Sequence, residues 1–221
     1  MGHWIDLTAS DGHRFKAWRA GPEGTPRGGL LVLQEIFGVN AHIRELVEDF
    51  AGQGYDAIAP ALFDRAERDI ELGYESADIA RGRELRGAIA TEDTVRDMMA
   101  VREALTGSGR TGAVGYCWGG TLAWLCATRL GVDCAVGYYG SSTIDFIDEA
   151  PACPVTLMLG EADKTFPSGN IAAIRKAHPE VTVFTYPAGH GFACDQRGAW
   201  HAASAHHARE RTLAVFNRYL G

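Results

Sequence analysis

Residues Gly115-Tyr116-Cys117-Trp118-Gly119-Gly120 constrain the fold of this chain more than any other stretch. A short apolar strand-like run (Thr111, Ala113, Val114) leads into them, and an apolar helical run (Leu122, Ala123, Trp124, Leu125, Ala127) leads out. Glycines on both sides of a reactive residue predict a tight turn, because larger flanking side chains would clash while the central residue is held in strained backbone geometry. The turn would present Cys117 at a helix N-terminus, where unpaired N–H groups and the helix dipole favour a thiolate and a developing oxyanion.

The remaining sequence repeats the strand-then-helix pattern. Trp4–Ala9 and Arg14–Ala20 flank the turn cluster Ser10-Asp11-Gly12-His13 and read as an N-terminal hairpin. Leu30-Leu31-Val32-Leu33 is a continuous apolar run, as expected of a strand covered on both faces. Asn40 is placed to cap a helix over 41–52, where Ile43, Leu46, Val47 and Phe50 fall at helical spacing. Tyr55–Ala59 returns as a strand. A polar helical region over 76–105, strand 111–115, helix 118–130 and strand 133–138 follow, then strand 155–160, helix 168–178, strand 181–186 and a last helix near 199–219. The fold class is therefore α/β, with a mostly parallel central sheet, helices on both faces and an N-terminal hairpin, in a single domain over 1–221. The charged segment 61–90 is expected to be a surface excursion beside the site, with most of its charges on a solvated helical face.

Composition excludes several function classes. The 221 residues are 46% hydrophobic and 22% charged, ordinary for a globular chain with a sizeable core. A net charge of −7 offers no electrostatic footprint for nucleic acid. No apolar run approaches the ~20 residues needed to span a bilayer, and the N-terminal residues lack the basic and apolar regions of a signal peptide. Cys117, Cys126, Cys134, Cys153 and Cys194 form no C-x-x-C pair. Free thiols in a reducing cytoplasm are expected, without metal or cofactor. His201, His206 and His207 do not place two imidazoles at i and i+4, so a solvated helix face is expected there.

A thiol that attacks a carbonyl needs a base, and the base needs a group to orient it. Asp163 follows the apolar run Val155–Leu159, and His190 follows Val181–Tyr186 in Tyr186-Pro187-Ala188-Gly189-His190-Gly191-Phe192. Cys117, Asp163 and His190 thus each lie just past the C-terminal end of an expected strand, where open parallel sheets carry their sites. The order nucleophile, acid, histidine is that of the α/β-hydrolases.

Four strings together resemble the dienelactone hydrolase (carboxymethylenebutenolidase) family. They are Gln34-Glu35-Ile36-Phe37-Gly38-Val39-Asn40, the Gly115–Gly120 turn, Val136-Gly137-Tyr138-Tyr139-Gly140 and Ala188-Gly189-His190-Gly191-Phe192. The resemblance runs essentially end to end. It implies an α/β-hydrolase that cleaves an ester or lactone through a thioester on Cys117, with Asp163 orienting His190. It further implies that Glu35 contacts the resting thiol, that the N–H groups of Ile36 and Trp118 form an oxyanion hole, and that Tyr138 lies near the substrate. Arginines would bind a substrate carboxylate. One family arginine position is Cys194 here, which leaves Arg81, Arg83 and Arg197 as candidates. The other open readings are a general small-molecule carboxylesterase or thioesterase of the same fold, and a non-catalytic thiol sensor. The expected partner is a small ester or lactone, with no nucleic acid and no membrane. The chain would be a cytoplasmic monomer or small homo-oligomer, acting in aromatic degradation.

Overall fold

The computed structural model describes residues 1–221. Eight strands form one sheet: β1 (His3–Thr8), β2 (Arg14–Ala20), β3 (Gly29–Leu33), β4 (Asp56–Pro60), β5 (Thr111–Tyr116), β6 (Cys134–Tyr138), β7 (Val155–Gly160) and β8 (Thr182–Tyr186), in the order β1-β2-β4-β3-β5-β6-β7-β8. The β1–β2 hairpin joins antiparallel to β4, and every pair from β4 through β3 to β8 is parallel. The α/β expectation, with its mostly parallel sheet and N-terminal hairpin, is met.

Five α-helices lie between the strands, α1 (Ala41–Gly52), α2 (Ser76–Gly87), α3 (Thr91–Ala104), α4 (Trp118–Leu125) and α5 (Ser168–Ala177), and a sixth, α6 (Ala202–Tyr219), follows β8. Strand residues alternate between two cores, which explains why the central strands read as unbroken apolar runs. Leu31, Leu33 and Ala113 pack with side chains of α3, α4 and α5, whereas Leu30, Val32 and Val114 pack with those of α1 and α6. Helices therefore cover both faces. No helix is long and apolar enough to cross a membrane.

Local chemistry sets the helix ends. The Asn40 side chain accepts from Ile43 N–H at 3.3 Å and starts α1. The 76–105 region forms two helices: a capping box of Glu75 and Asp78 opens α2, which stops at Gly87, and α3 starts at Thr91. The His201 side chain caps α6 by accepting from Ser204 N–H at 3.3 Å, so that helix begins three residues later than the apolar pattern indicates. The sheet order reverses between β3 and β5, and the segments that follow these two strands carry Glu35 and Cys117. In open α/β sheets that reversal opens a crevice at the strand C-termini.

Candidate active site

Cys117 stands between β5 and α4 with φ 54° and ψ −113°, a left-handed backbone that a non-glycine residue rarely takes. Its neighbours explain why the turn holds. A Cβ on Gly115 would come within 1.8 Å of the Gly119 carbonyl oxygen, and one on Gly119 within 2.1 Å of the Leu33 oxygen. The turn therefore seats directly on the end of β3, secured by Gly119 N–H donating to the Gln34 carbonyl at 3.0 Å and Cys117 N–H donating to the Tyr138 carbonyl at 3.0 Å.

Asp163 and His190 arrive from β7 and β8, with β6 lying between these strands and β5. Their loops are stitched together: Ala162 N–H donates to the Ala188 carbonyl at 3.0 Å, and Glu161 N–H to the Tyr186 carbonyl at 2.8 Å. His190 Nε2 lies 3.1 Å from Cys117 Sγ, and its Nδ1 lies 2.8 Å from Asp163 Oδ2. The other carboxylate oxygen of Asp163 accepts from Thr165 N–H at 2.8 Å and from Thr165 Oγ1 at 2.6 Å. Burial works against a charged imidazole, but the hydrogen bonds to Asp163 and Cys117 outweigh it and push His190 up to about 10. Burial likewise opposes the Asp163 carboxylate, yet the hydrogen bonds from His190 and Thr165 hold it below its ordinary range.

These groups border a cavity of about 330 Å³ whose wall includes Ile36, Cys117, Trp118, Thr165, His190 and Arg197. The N–H groups of Ile36 and Trp118 donate to no acceptor within the chain. On the side of α2, Ile79, Arg83 and Arg86 close the cavity. A Cβ on Gly82 would fall 1.9 Å from the Ile36 oxygen, so α2 presses directly on the segment after β3. Segment 61–90 is thus partly a wall of the cavity, as well as a solvated face.

A model of the dienelactone hydrolase family matches residues 15–220. The chain belongs to the dienelactone hydrolase family. It is 34% identical over 220 residues to the carboxymethylenebutenolidase of Pseudomonas putida, covering 95% of this chain and 93% of the relative. It is 32% identical to carboxymethylenebutenolidase 1 of Cupriavidus pinatubonensis, covering 96% and 94%. Among solved structures, a candidate dienelactone hydrolase of Klebsiella pneumoniae superposes with a TM-score of 0.86 at 29% identity, over 98% of this chain and 100% of that one. A dienelactone hydrolase-like promiscuous phosphotriesterase from metagenomic libraries shares the fold at 19% identity, with a TM-score of 0.79 over 100% of this chain and 99% of that one. The chain is accordingly a hydrolase.

Several expectations drawn from the dienelactone hydrolase resemblance need correction. Glu35 is buried, but its carboxylate accepts from Arg197 Nη1 at 2.9 Å and forms no hydrogen bond with the thiol, which faces His190 instead. A buried carboxylate takes the nearest cation, and Arg197 reaches it from the loop after β8. Tyr138 lies outside the cavity: its ring packs in the core beneath α6 and its hydroxyl meets Thr212 Oγ1 at 2.6 Å. Tyr139 instead sets its ring edge-on to His190, with centroids 5.2 Å apart. Arg81 is also displaced, because it pairs with Glu67 and with Glu84 at 2.8 Å on the outer face of α2. Arg83 and Arg197 do reach the cavity. Sequence reading missed Arg86, Thr165 and Tyr139. The three-residue step from Arg83 to Arg86 was a usable helical signal; the roles of Thr165 and Tyr139 depend on loop paths that no periodicity records.

Proposed function

We propose that this chain hydrolyses a carboxylic ester or lactone, dienelactone hydrolase-like, through a thioester on Cys117. The observation that carries the reading is the unbroken line from Cys117 Sγ through His190 to Asp163, at 3.1 and 2.8 Å, on the wall of a cavity. His190 Nε2 holds the proton taken from the Cys117 thiol, and the thiolate beside it attacks the carbonyl carbon. The carbonyl oxygen takes up negative charge, and the free N–H groups of Ile36 and Trp118 are the donors available to it. As the C–O bond breaks, the leaving oxygen takes the proton from His190; from a lactone it remains part of the same molecule. Water then loses a proton to His190 as its oxygen attacks the thioester carbon. The acid departs, and Cys117 is released as the thiolate beside the protonated His190. Asp163 stays ionised throughout and orients the Nδ1–H.

The substrate we favour carries a carboxylate. Arg83 and Arg86 are exposed at the cavity wall, and neither is paired with an acidic side chain there. A second reading, a general carboxylesterase or thioesterase acting on neutral esters, is favoured by the Glu35–Arg197 pair, which already neutralises the deepest cation. Purified protein and Cys117→Ala assayed on dienelactone, a neutral lactone and an aryl ester separate these readings. Turnover confined to the anionic lactone supports the first, and a preference for neutral substrates supports the second. Covalent labelling of Cys117 without turnover would overturn hydrolysis in favour of a thiol sensor.

A further inference from the structure

A second cluster of reactive side chains lies behind the catalytic loop. His42, near the start of α1, and Cys194 and Asp195, in the loop after His190, each bring one potential ligand atom to within 4.8 Å of the other two. His42 and Cys194 are buried, whereas Asp195 opens to solvent. The three do not satisfy one another as hydrogen-bond partners. His42 Nδ1 stands 3.5 Å from Asp195 Oδ1, long for a hydrogen bond. A buried imidazole nitrogen at that distance from its carboxylate is only weakly satisfied.

We propose that His42, Cys194 and Asp195 form a zinc-type divalent cation site that ties the catalytic loop to α1. Ligand atoms ~2.0–2.3 Å from a tetrahedral zinc ion stand ~3.3–3.8 Å from each other. The 3.5 Å separation of Nδ1 and Oδ1 falls in that interval. Thiolate with imidazole and a single carboxylate selects zinc or cobalt over magnesium and calcium, which require sets of oxygen ligands. Charge also balances, since a divalent ion with one thiolate and one carboxylate is neutral and is buried without an excess charge. Asp195 offers the route of entry, and water on that side supplies the fourth ligand.

Cys194 supplies a buried thiol to the site. On binding, the S–H bond breaks, sulfur donates its pair to the metal and the proton leaves to bulk water; no oxidation state changes. The loop so pinned runs from His190 to Arg197, so the ion would steady both the catalytic imidazole and the arginine that meets Glu35.

Cation binding at His42, Cys194 and Asp195 does not depend on Cys117 as nucleophile, and one experiment reads the two separately. Chelator-treated protein is titrated with Co2+, followed by its near-ultraviolet thiolate-to-cobalt band, and ester hydrolysis is assayed on the same samples. The wild type and Cys117→Ser should each bind one Co2+ with the thiolate band. Cys194→Ser and His42→Ala should lose it, and Asp195→Asn should bind at least ~10-fold more weakly. Zinc should displace cobalt and raise the melting temperature of the wild type but not of Cys194→Ser. A wild type without the band, or a band lost in Cys117→Ser and kept in Cys194→Ser, overturns the site. Asp195 has a 62% exposed side chain, so Asp195→Asn folds even where the buried variants do not, and unchanged affinity in that variant overturns it too.

Discussion

Cys117 is the residue on which sequence and chemistry meet most directly. Its backbone strain is held by close packing of the turn against β3, and the same turn aims Sγ at His190. If the thiol attacks, Cys117→Ser should lower kcat/KM for an ester by ~10²-fold or more, because a hydroxyl is far harder to deprotonate. Steady-state kinetics check this, and near wild-type activity would overturn the thiolate mechanism. His190 makes a second prediction, in stability. Its folded value is raised from 6.5 to about 10, so the protonated imidazole stabilises the fold fully below pH ~6.5, and that contribution disappears as pH rises through ~10. Melting temperatures measured from pH 6 to 10 should therefore fall more steeply for the wild type than for His190→Gln. Parallel curves would show that the imidazole is not held as a cation.

At the scale of elements, parity and helical phase separate residues that composition treats alike. Tyr138 ends β6 facing the core beneath α6, while Tyr139, at φ 38°, turns its ring toward His190. Choosing between adjacent tyrosines requires knowing where the strand stops. On α2, Arg81 points to Glu67 and Glu84, whereas Arg83 and Arg86 reach the cavity. The helix was legible, but its rotation about its own axis was not, since α2 has little apolar patterning to set that phase. Its position depends instead on Gly82 meeting the Ile36 oxygen. Gly82→Ala should push α2 away from the segment after β3, at a cost of about 1–3 kcal/mol in stability. Because Ile36 is displaced with it, kcat should fall more than KM changes. Chemical denaturation and steady-state kinetics on one preparation read both, and wild-type values of each would show that the contact is slack.

At the scale of the whole molecule, Glu35 and Arg197 join the end of β3 to the loop after β8, from opposite sides of the β5 nucleophile. Both side chains are largely buried, so removing one leaves the other charge without a partner. Glu35→Ala should therefore destabilise the fold by about 3–5 kcal/mol, and adding Arg197→Met should recover part of that loss. Urea denaturation of the two single variants and the double variant closes the cycle, and strictly additive losses would show that the pair is not coupled.

Period, order and turn chemistry wrote the strand–helix alternation, the Cys117 turn and the sequence of nucleophile, acid and histidine into the chain, because each is a local property of neighbouring residues. The hairpin, the central apolar strands and the Asn40 cap were legible for the same reason. Only the tertiary structure decided that Glu35 answers Arg197 rather than the thiol, that Tyr139 and not Tyr138 borders the histidine, and that Cys194 stands beside His42. Those pairings join residues that lie far apart along the chain or face by face across the sheet. A buried charge or a free imidazole nitrogen takes whatever the fold brings within about 3 Å, and nothing local to either residue specifies what that will be.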